Sequence, residues 1–94
     1  MPIPPKKKTT QKTTVLFLCT ANSCRSIIAE GLLAHYGKEH FITYSAGSMA
    51  SGFVHPLSIE TLKNHHISTA HLRSKSWSEF FYKPVDIVLT VCEA

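Results

Sequence analysis

Long apolar runs are missing from this 94-residue chain. No stretch approaches the roughly twenty consecutive apolar residues needed to cross a bilayer, which excludes a membrane-spanning helix. The lysines near the start are followed by no apolar segment of signal-peptide length, so nothing marks the sequence for export. Tight cysteine pairs are missing too. Three cysteines without Cys-x2-Cys spacing argue against a disulfide framework or a zinc site and suit reactive thiols in a reducing, cytoplasmic compartment. On a helix the adjacent His65 and His66 would point about a hundred degrees apart and could not chelate as an i, i+4 pair does. No metal and no cofactor is expected. Positive charge is in excess, but only in one place. Ten basic residues stand against six acidic ones, yet Lys6, Lys7, Lys8 and Lys12 all precede Val15, leaving six against six. No basic helix or aromatic stripe remains to bind nucleic acid.

What is present reads as one small α/β domain, near the lower end of what buries a good core. Residues 1–14 are rich in Pro, Lys and Thr and are expected to be a disordered basic leader, with residues 15–94 forming the domain. Val15 to Leu18 is a short buried strand. A helix follows from about Ser26 to Tyr36, with Ile28, Leu32 and Tyr36 on its inward stripe and Gly37 as a left-handed cap. Phe41 to Ser45 is a second strand, closed by the turn signal Ser45-Ala46-Gly47. Strand, helix and strand with such short connections imply a right-handed parallel crossover.

Ser48 to Val54 reads as a loop. His55-Pro56 starts a second helix with Pro at its first position, and Ile59, Leu62 and His66 mark its buried stripe. Thr69 to Phe81 is polar and loop-like, with a short helix from Ser76 to Phe81 turning Trp77, Phe80 and Phe81 inward. Arg73 and Lys75 read as an exposed basic turn, with help in holding an anion as the alternative. Val85 to Val91 is nearly continuous apolar sequence, the pattern of a parallel strand covered on both faces, with Cys92 at its end.

The stretch with chemistry in it is Cys19-Thr20-Ala21-Asn22-Ser23-Cys24-Arg25-Ser26. A loop between a strand end and a helix start exposes successive backbone N–H groups, and the helix dipole adds positive charge. Such a nest holds a tetrahedral oxyanion. Arg25 can fork two of its oxygens, which lysine cannot do with the same geometry. The same field favours the thiolate of Cys19, a ready nucleophile beneath the anion. Parallel strands bring their carboxyl ends to one edge, so Cys19, Ser45 and Cys92 converge there. That convergence gives Cys92 a redox role.

These residues, with Ala29-Glu30 after them, resemble the phosphate-loop signature of low-molecular-weight protein tyrosine phosphatases and their arsenate reductase relatives. The resemblance covers Val15 to Ala94. It implies a three-layer α/β sandwich around a central parallel sheet, here without the last strand and helix. It also implies that Ser45 and Asn22, with Ser26, support the loop through hydrogen bonds. Glu30 matches the family's Ala-Glu pair but is read here as a solvated or capping carboxylate. His71 resembles a phosphatase-branch position near the loop.

Two chemistries follow from the resemblance. A phosphatase uses a phosphocysteine at Cys19 and needs a general acid for the leaving phenolate. The one aspartate, Asp86, starts a strand and so sits at the opposite sheet edge. An arsenate reductase forms a thiol–arsenate adduct that a second thiol resolves. Thr90-Val91-Cys92-Glu93-Ala94 resembles the start of the reductase segment that carries that second cysteine, and Ile27 replaces a proline frequent in the phosphatase branch. The expected function is therefore arsenate reduction, with Cys19, Arg25 and Cys92 catalytic. A tyrosine phosphatase or a non-catalytic oxyanion binder is the alternative. The expected partners are arsenate or phosphate and a thiol reductant, either thioredoxin or glutaredoxin with glutathione. An unpaired edge strand makes self-association of the isolated chain an expectation.

Overall fold

A computed structural model describes residues 11–91; the leader through residue 10, and Cys92, lie outside the described residues. Three strands form one parallel sheet in the order β2-β1-β3. They are β1 (Thr13–Cys19), β2 (Phe41–Gly47) and β3 (Ile87–Thr90), and α1 (Arg25–Tyr36) lies between β1 and β2 in the chain. Helix α2 (Pro56–Asn64) and a 3-10 turn, Trp77–Phe80, separate β2 from β3. Strand β1 begins at Thr13, two residues before the Val15 read from sequence.

Register assigns the two faces of the sheet. Phe17 stands opposite Ser45, and Ser45 reaches Glu30 of α1, so alternate residues of β1 from Val15 face the helix layer. Leu16 and Ala46 face the other way and form a core with Phe80 of the 3-10 turn. Ile27 of α1 and Leu62 of α2 are almost wholly buried, each burial worth roughly 1.5–3 kcal/mol. The helices approach closely because α1 carries Gly31, where a Cβ would lie 2.8 Å from Leu62 Cδ1.

Several sequence expectations change here. The inward stripe of α1 is Ile27, Glu30 and Gly31, whereas Leu32 and Tyr36 are exposed. Apolar residues occur nearly all round this helix, so β2 and Leu62, rather than periodicity, choose its buried face. Gly37 closes α1 with φ −112°, not in the left-handed region; its missing side chain leaves room for Leu33 and Phe41. Helix α2 starts as expected, with Pro56 first and the His55 imidazole accepting from the Leu57 N–H at 3.0 Å. It ends before His66, which takes φ 61° and is exposed. Of the three aromatics near the 3-10 turn only Phe80 is buried; Trp77 and Phe81 are exposed and tilt against each other.

Strand β3 departs furthest from its sequence pattern. Ile87, Val88 and Leu89 are 41%, 53% and 46% exposed, on a strand expected to be covered on both faces. Among the described residues only β1 pairs with it, and no helix packs firmly on either side. Asp86 accepts from the Thr14 N–H at 2.8 Å and donates its own N–H to Thr14 O. It therefore braces the strand ends opposite Cys19.

Candidate functional site

Strand β1 ends at Cys19 and α1 opens at Arg25, so the intervening loop sits on the carboxyl edge of the sheet. Residues Cys19 through Arg25 line a cavity of about 320 Å³, and Val91 lines it as well. Val91 is placed there by its N–H bond to Leu18 O.

Loop shape follows from where its carbonyls go. Cys19 O, Thr20 O, Ala21 O and Ser23 O accept from the N–H groups of Ser48, Met49, Ser51 and His55. Ser74 Oγ also donates to Ala21 O, and Ser58 Oγ to Ser23 O. In a trans peptide the N–H that follows each carbonyl points the other way. The scaffold thus pulls the carbonyls outward and turns the amides of Thr20, Ala21, Asn22 and Cys24 toward the cavity. The Asn22 amide shows the result, reaching Cys19 Sγ at 3.0 Å. The segment after β2 is the brace for this loop, a role for Ser48 to His55 and for Ser58 that composition did not signal.

Two features let the loop bend so tightly. Asn22 sits at φ 52°, a conformation asparagine tolerates better than most residues. Gly47 at the end of β2 packs against the loop so closely that a Cβ would lie 2.4 Å from Thr20 O.

Behind the loop, polar groups form a continuous buried series. Cys19 Sγ and Ser26 Oγ are 3.0 Å apart. Asn22 Nδ2 donates to Ser26 Oγ at 2.7 Å and to Ser45 Oγ at 2.9 Å. Ser45 Oγ donates to Glu30 Oε1 at 2.6 Å. Asn22 Oδ1 accepts from the Lys75 main-chain N–H at 2.9 Å. The supporting trio Asn22, Ser26 and Ser45 is brought together, all three fully buried.

Two residues read as surface groups prove to be buried. Glu30 is only 2% exposed and Lys75 only 6%, and the Lys75 ammonium lies 3.8 Å from Glu30 Oε1. Its strongest contact is Arg73 O, at 2.8 Å. Burial pushes the Glu30 carboxyl above its ordinary range, against the hydrogen bond from Ser45 and the charge of Lys75. Burial likewise pushes the Lys75 ammonium down, against the charge of Glu30. No local pattern in the sequence announces this pair; the Ala29-Glu30 match and the resemblance of Arg73 to Ser76 to a reductase segment pointed near it, but neither marked either residue as buried. Arg73 remains exposed and grips Glu79 through both terminal nitrogens, at 2.7 and 3.1 Å. His71 lines a separate recess with Glu30, Arg73 and Lys75, not the cavity of Cys19.

A parallel sheet that delivers one cysteine into an amide-lined turn before a helix is the layout of a phosphatase-like α/β protein. The chain belongs to the low molecular weight phosphotyrosine protein phosphatase family, whose pattern matches residues 14–94. It is 38% identical over 81 residues to the arsenate reductase of Staphylococcus xylosus, covering 86% of this chain and 61% of that protein. Its structure is similar to a solved arsenate reductase in the phosphate-binding state, with TM-score 0.79 and 30% identity, covering 87% of this chain and 62% of that one. It is also similar to the Corynebacterium glutamicum thioredoxin-dependent arsenate reductase, with TM-score 0.77 and 30% identity, covering 93% and 46%. The chain therefore spans about three fifths of the curated relative's length.

Proposed function

We propose that this chain carries the anion-binding and nucleophilic centre of an arsenate reductase. The supporting observation is the Cys19 thiol, held by the Asn22 N–H and Ser26 Oγ beside a cavity lined by Cys19 through Arg25. In this reading Thr20 to Ser26 and Arg25 hold the arsenate, and the Cys19 thiolate attacks arsenic with loss of one oxygen as water. Cys92 then attacks the Cys19 sulfur. The electron pair of the sulfur–arsenic bond passes to arsenic, arsenite leaves, and a Cys19–Cys92 disulfide remains. A thiol reductant, thioredoxin or glutaredoxin with glutathione, takes up that oxidation and restores both thiols. The wall position of Val91, the residue before Cys92, supports this assignment.

The family pattern favours one second reading, a tyrosine phosphatase working through phosphocysteine at Cys19. Asp86 does not serve as its acid, since it is engaged with Thr14 at the far end of β1. The decisive experiment is peptide mapping by mass spectrometry after arsenate treatment. A Cys19–Cys92 link is the expected result. A Cys19–Cys24 link points to a protective disulfide within the loop, and no link with retained phosphate affinity points to an oxyanion binder.

Arg25→Lys is expected to weaken phosphate binding by about 1–3 kcal/mol, because a point charge replaces a two-pronged donor. Calorimetry reads this directly, and unchanged affinity assigns Arg25 a structural role. An odd number of cysteines without the close pairing of a disulfide framework supports a reducing, cytoplasmic location. Among the described residues no helix is long and apolar enough to cross a membrane. The exposed apolar residues of β3 support self-association of the isolated chain.

A further inference from the structure

The proposed chemistry uses the loop but leaves unexplained why a lysine and a glutamate are buried together behind it. The hydrogen bonds themselves suggest an answer, because their directions are not interchangeable. An ionised carboxylate only accepts, so Ser45 spends its single proton on Glu30 Oε1. The Ser45 oxygen is then left to accept from Asn22 Nδ2. The Asn22 amide cannot easily turn over, because its oxygen is taken by the Lys75 main-chain N–H. Its second N–H goes to Ser26 Oγ. Ser26, already accepting, has its own proton available for Cys19 Sγ at 3.0 Å.

We infer that Lys75 is a positioning residue for Cys19: its buried ammonium cancels the charge of Glu30 and keeps that carboxylate an acceptor. Ser45, Asn22 and Ser26 then hold the bond directions that present a proton to Cys19 Sγ. Both ends of Lys75 contribute, the main chain by fixing Asn22 and the ammonium by standing 3.8 Å from Glu30 Oε1. The other charged groups bordering this recess are His71, Arg73, Glu79 and Lys83. Arg73 is committed to Glu79, and His71 and Lys83 are exposed, which leaves Lys75 as the buried cation beside Glu30.

Removing the ammonium hurts Cys19 by either of two routes. If Glu30 stays ionised, an uncompensated negative charge lies behind the loop and disfavours a thiolate. If burial drives Glu30 to take a proton, the carboxyl becomes a donor as well as an acceptor and no longer fixes the direction of the Ser45 bond, so the Ser45 oxygen is no longer reserved for the Asn22 amide. A neutral pair escapes both penalties, since a glutamine oxygen at position 30 still accepts from Ser45, and replacing a buried ion pair as a unit is tolerated far better than breaking it.

The inference rests on Cys19 being the nucleophile, and the test separates the two. The pH profile of Cys19 alkylation by iodoacetamide is followed by peptide mapping in the full chain. In the unsubstituted protein, Cys19 alkylating no faster than Cys24 overturns the nucleophile reading and this one with it. With that reading intact, Lys75→Met is expected to slow Cys19 alkylation at pH 7 about tenfold, as a displacement of the profile by one pH unit would. Adding Glu30→Gln is expected to restore the rate. A folded Lys75→Met protein with an unmoved profile, or a double variant as slow as the single one, overturns the proposal. A purely structural role for Lys75 predicts one of those two results. Should Lys75→Met fail to fold, carboxyl carbon NMR of the unsubstituted protein decides: Glu30 is expected to be ionised at pH 7, and a protonated Glu30 refutes the role.

Discussion

Cys19→Ser is expected to abolish every covalent arsenate or phosphoryl adduct while inorganic phosphate still binds. The replacement is nearly isosteric, and the groups that shape the loop belong to other residues. Ser48, Met49, Ser51 and His55 still hold the loop carbonyls outward, and Asn22 keeps its bonds to Ser26, Ser45 and Lys75. A serine hydroxyl in place of Sγ receives the same Asn22 N–H, but it ionises far less readily than a thiol and is a poor nucleophile without an adjacent base. Turnover should fall by several orders of magnitude, the usual scale when a covalent nucleophile is removed. Intact-mass measurement after arsenate exposure, with phosphate calorimetry on the same sample, checks both halves. An adduct that survives moves the nucleophile to another residue. Phosphate affinity lost together with the adduct shows instead that the thiol is part of the anion cradle.

The second large effect is at Gly47. Its main chain is held on one side by Lys75 O, at 2.9 Å from its N–H, and on the other by pairing with Cys19 in the β1–β2 register. An alanine Cβ would lie 2.4 Å from Thr20 O and 3.1 Å from both Ala21 C and Asn22 Cβ. Two of those three are backbone atoms, and Thr20 O is itself anchored by the Met49 N–H, so no flexible side chain can give way. Gly47→Ala therefore forces the anion loop off its support. The expected cost is about 1–3 kcal/mol of stability, the range for overpacking a close contact, together with a clear loss of phosphate affinity. Denaturant unfolding and phosphate titration read the two effects separately. A variant with unchanged midpoint and affinity would show that the strand and loop can part at little cost.

The two positions show what local sequence carries and what it does not. Val15 to Ser26 was legible because its information is local: an apolar strand, a turn able to bend at Asn22, and a helix start lie consecutively, and chain order alone puts Cys19 and Arg25 on one loop. Pro56 opening α2 was legible for the same reason, since a missing N–H costs nothing at a first helical position. Parallel pairing puts Gly47, not the expected Ser45, beside Cys19 at the rim; Ser45 stands two positions back, opposite Phe17, and supports the loop from behind.

Burial was decided elsewhere. Helix α1 carries Ile27, Ile28, Leu32 and Leu33 on several sides, and the face that turned inward was chosen by Leu62 filling the space at Gly31 and by Ser45 reaching Glu30. Glu30 and Lys75 lie 45 positions apart in the chain, and nothing in the residues around either marks it as buried. Each is tolerable inside only because the other, with Ser45 and Arg73 O, supplies the polar contacts that water would otherwise provide. Strand β3 shows the converse. Its residues have the composition of a fully covered strand, yet among the described residues only β1 lies against it, so Ile87, Val88 and Leu89 stay exposed. Residue type states a preference for burial. Whether it is met depends on which distant segments fold against that surface, and this belongs to the tertiary structure alone.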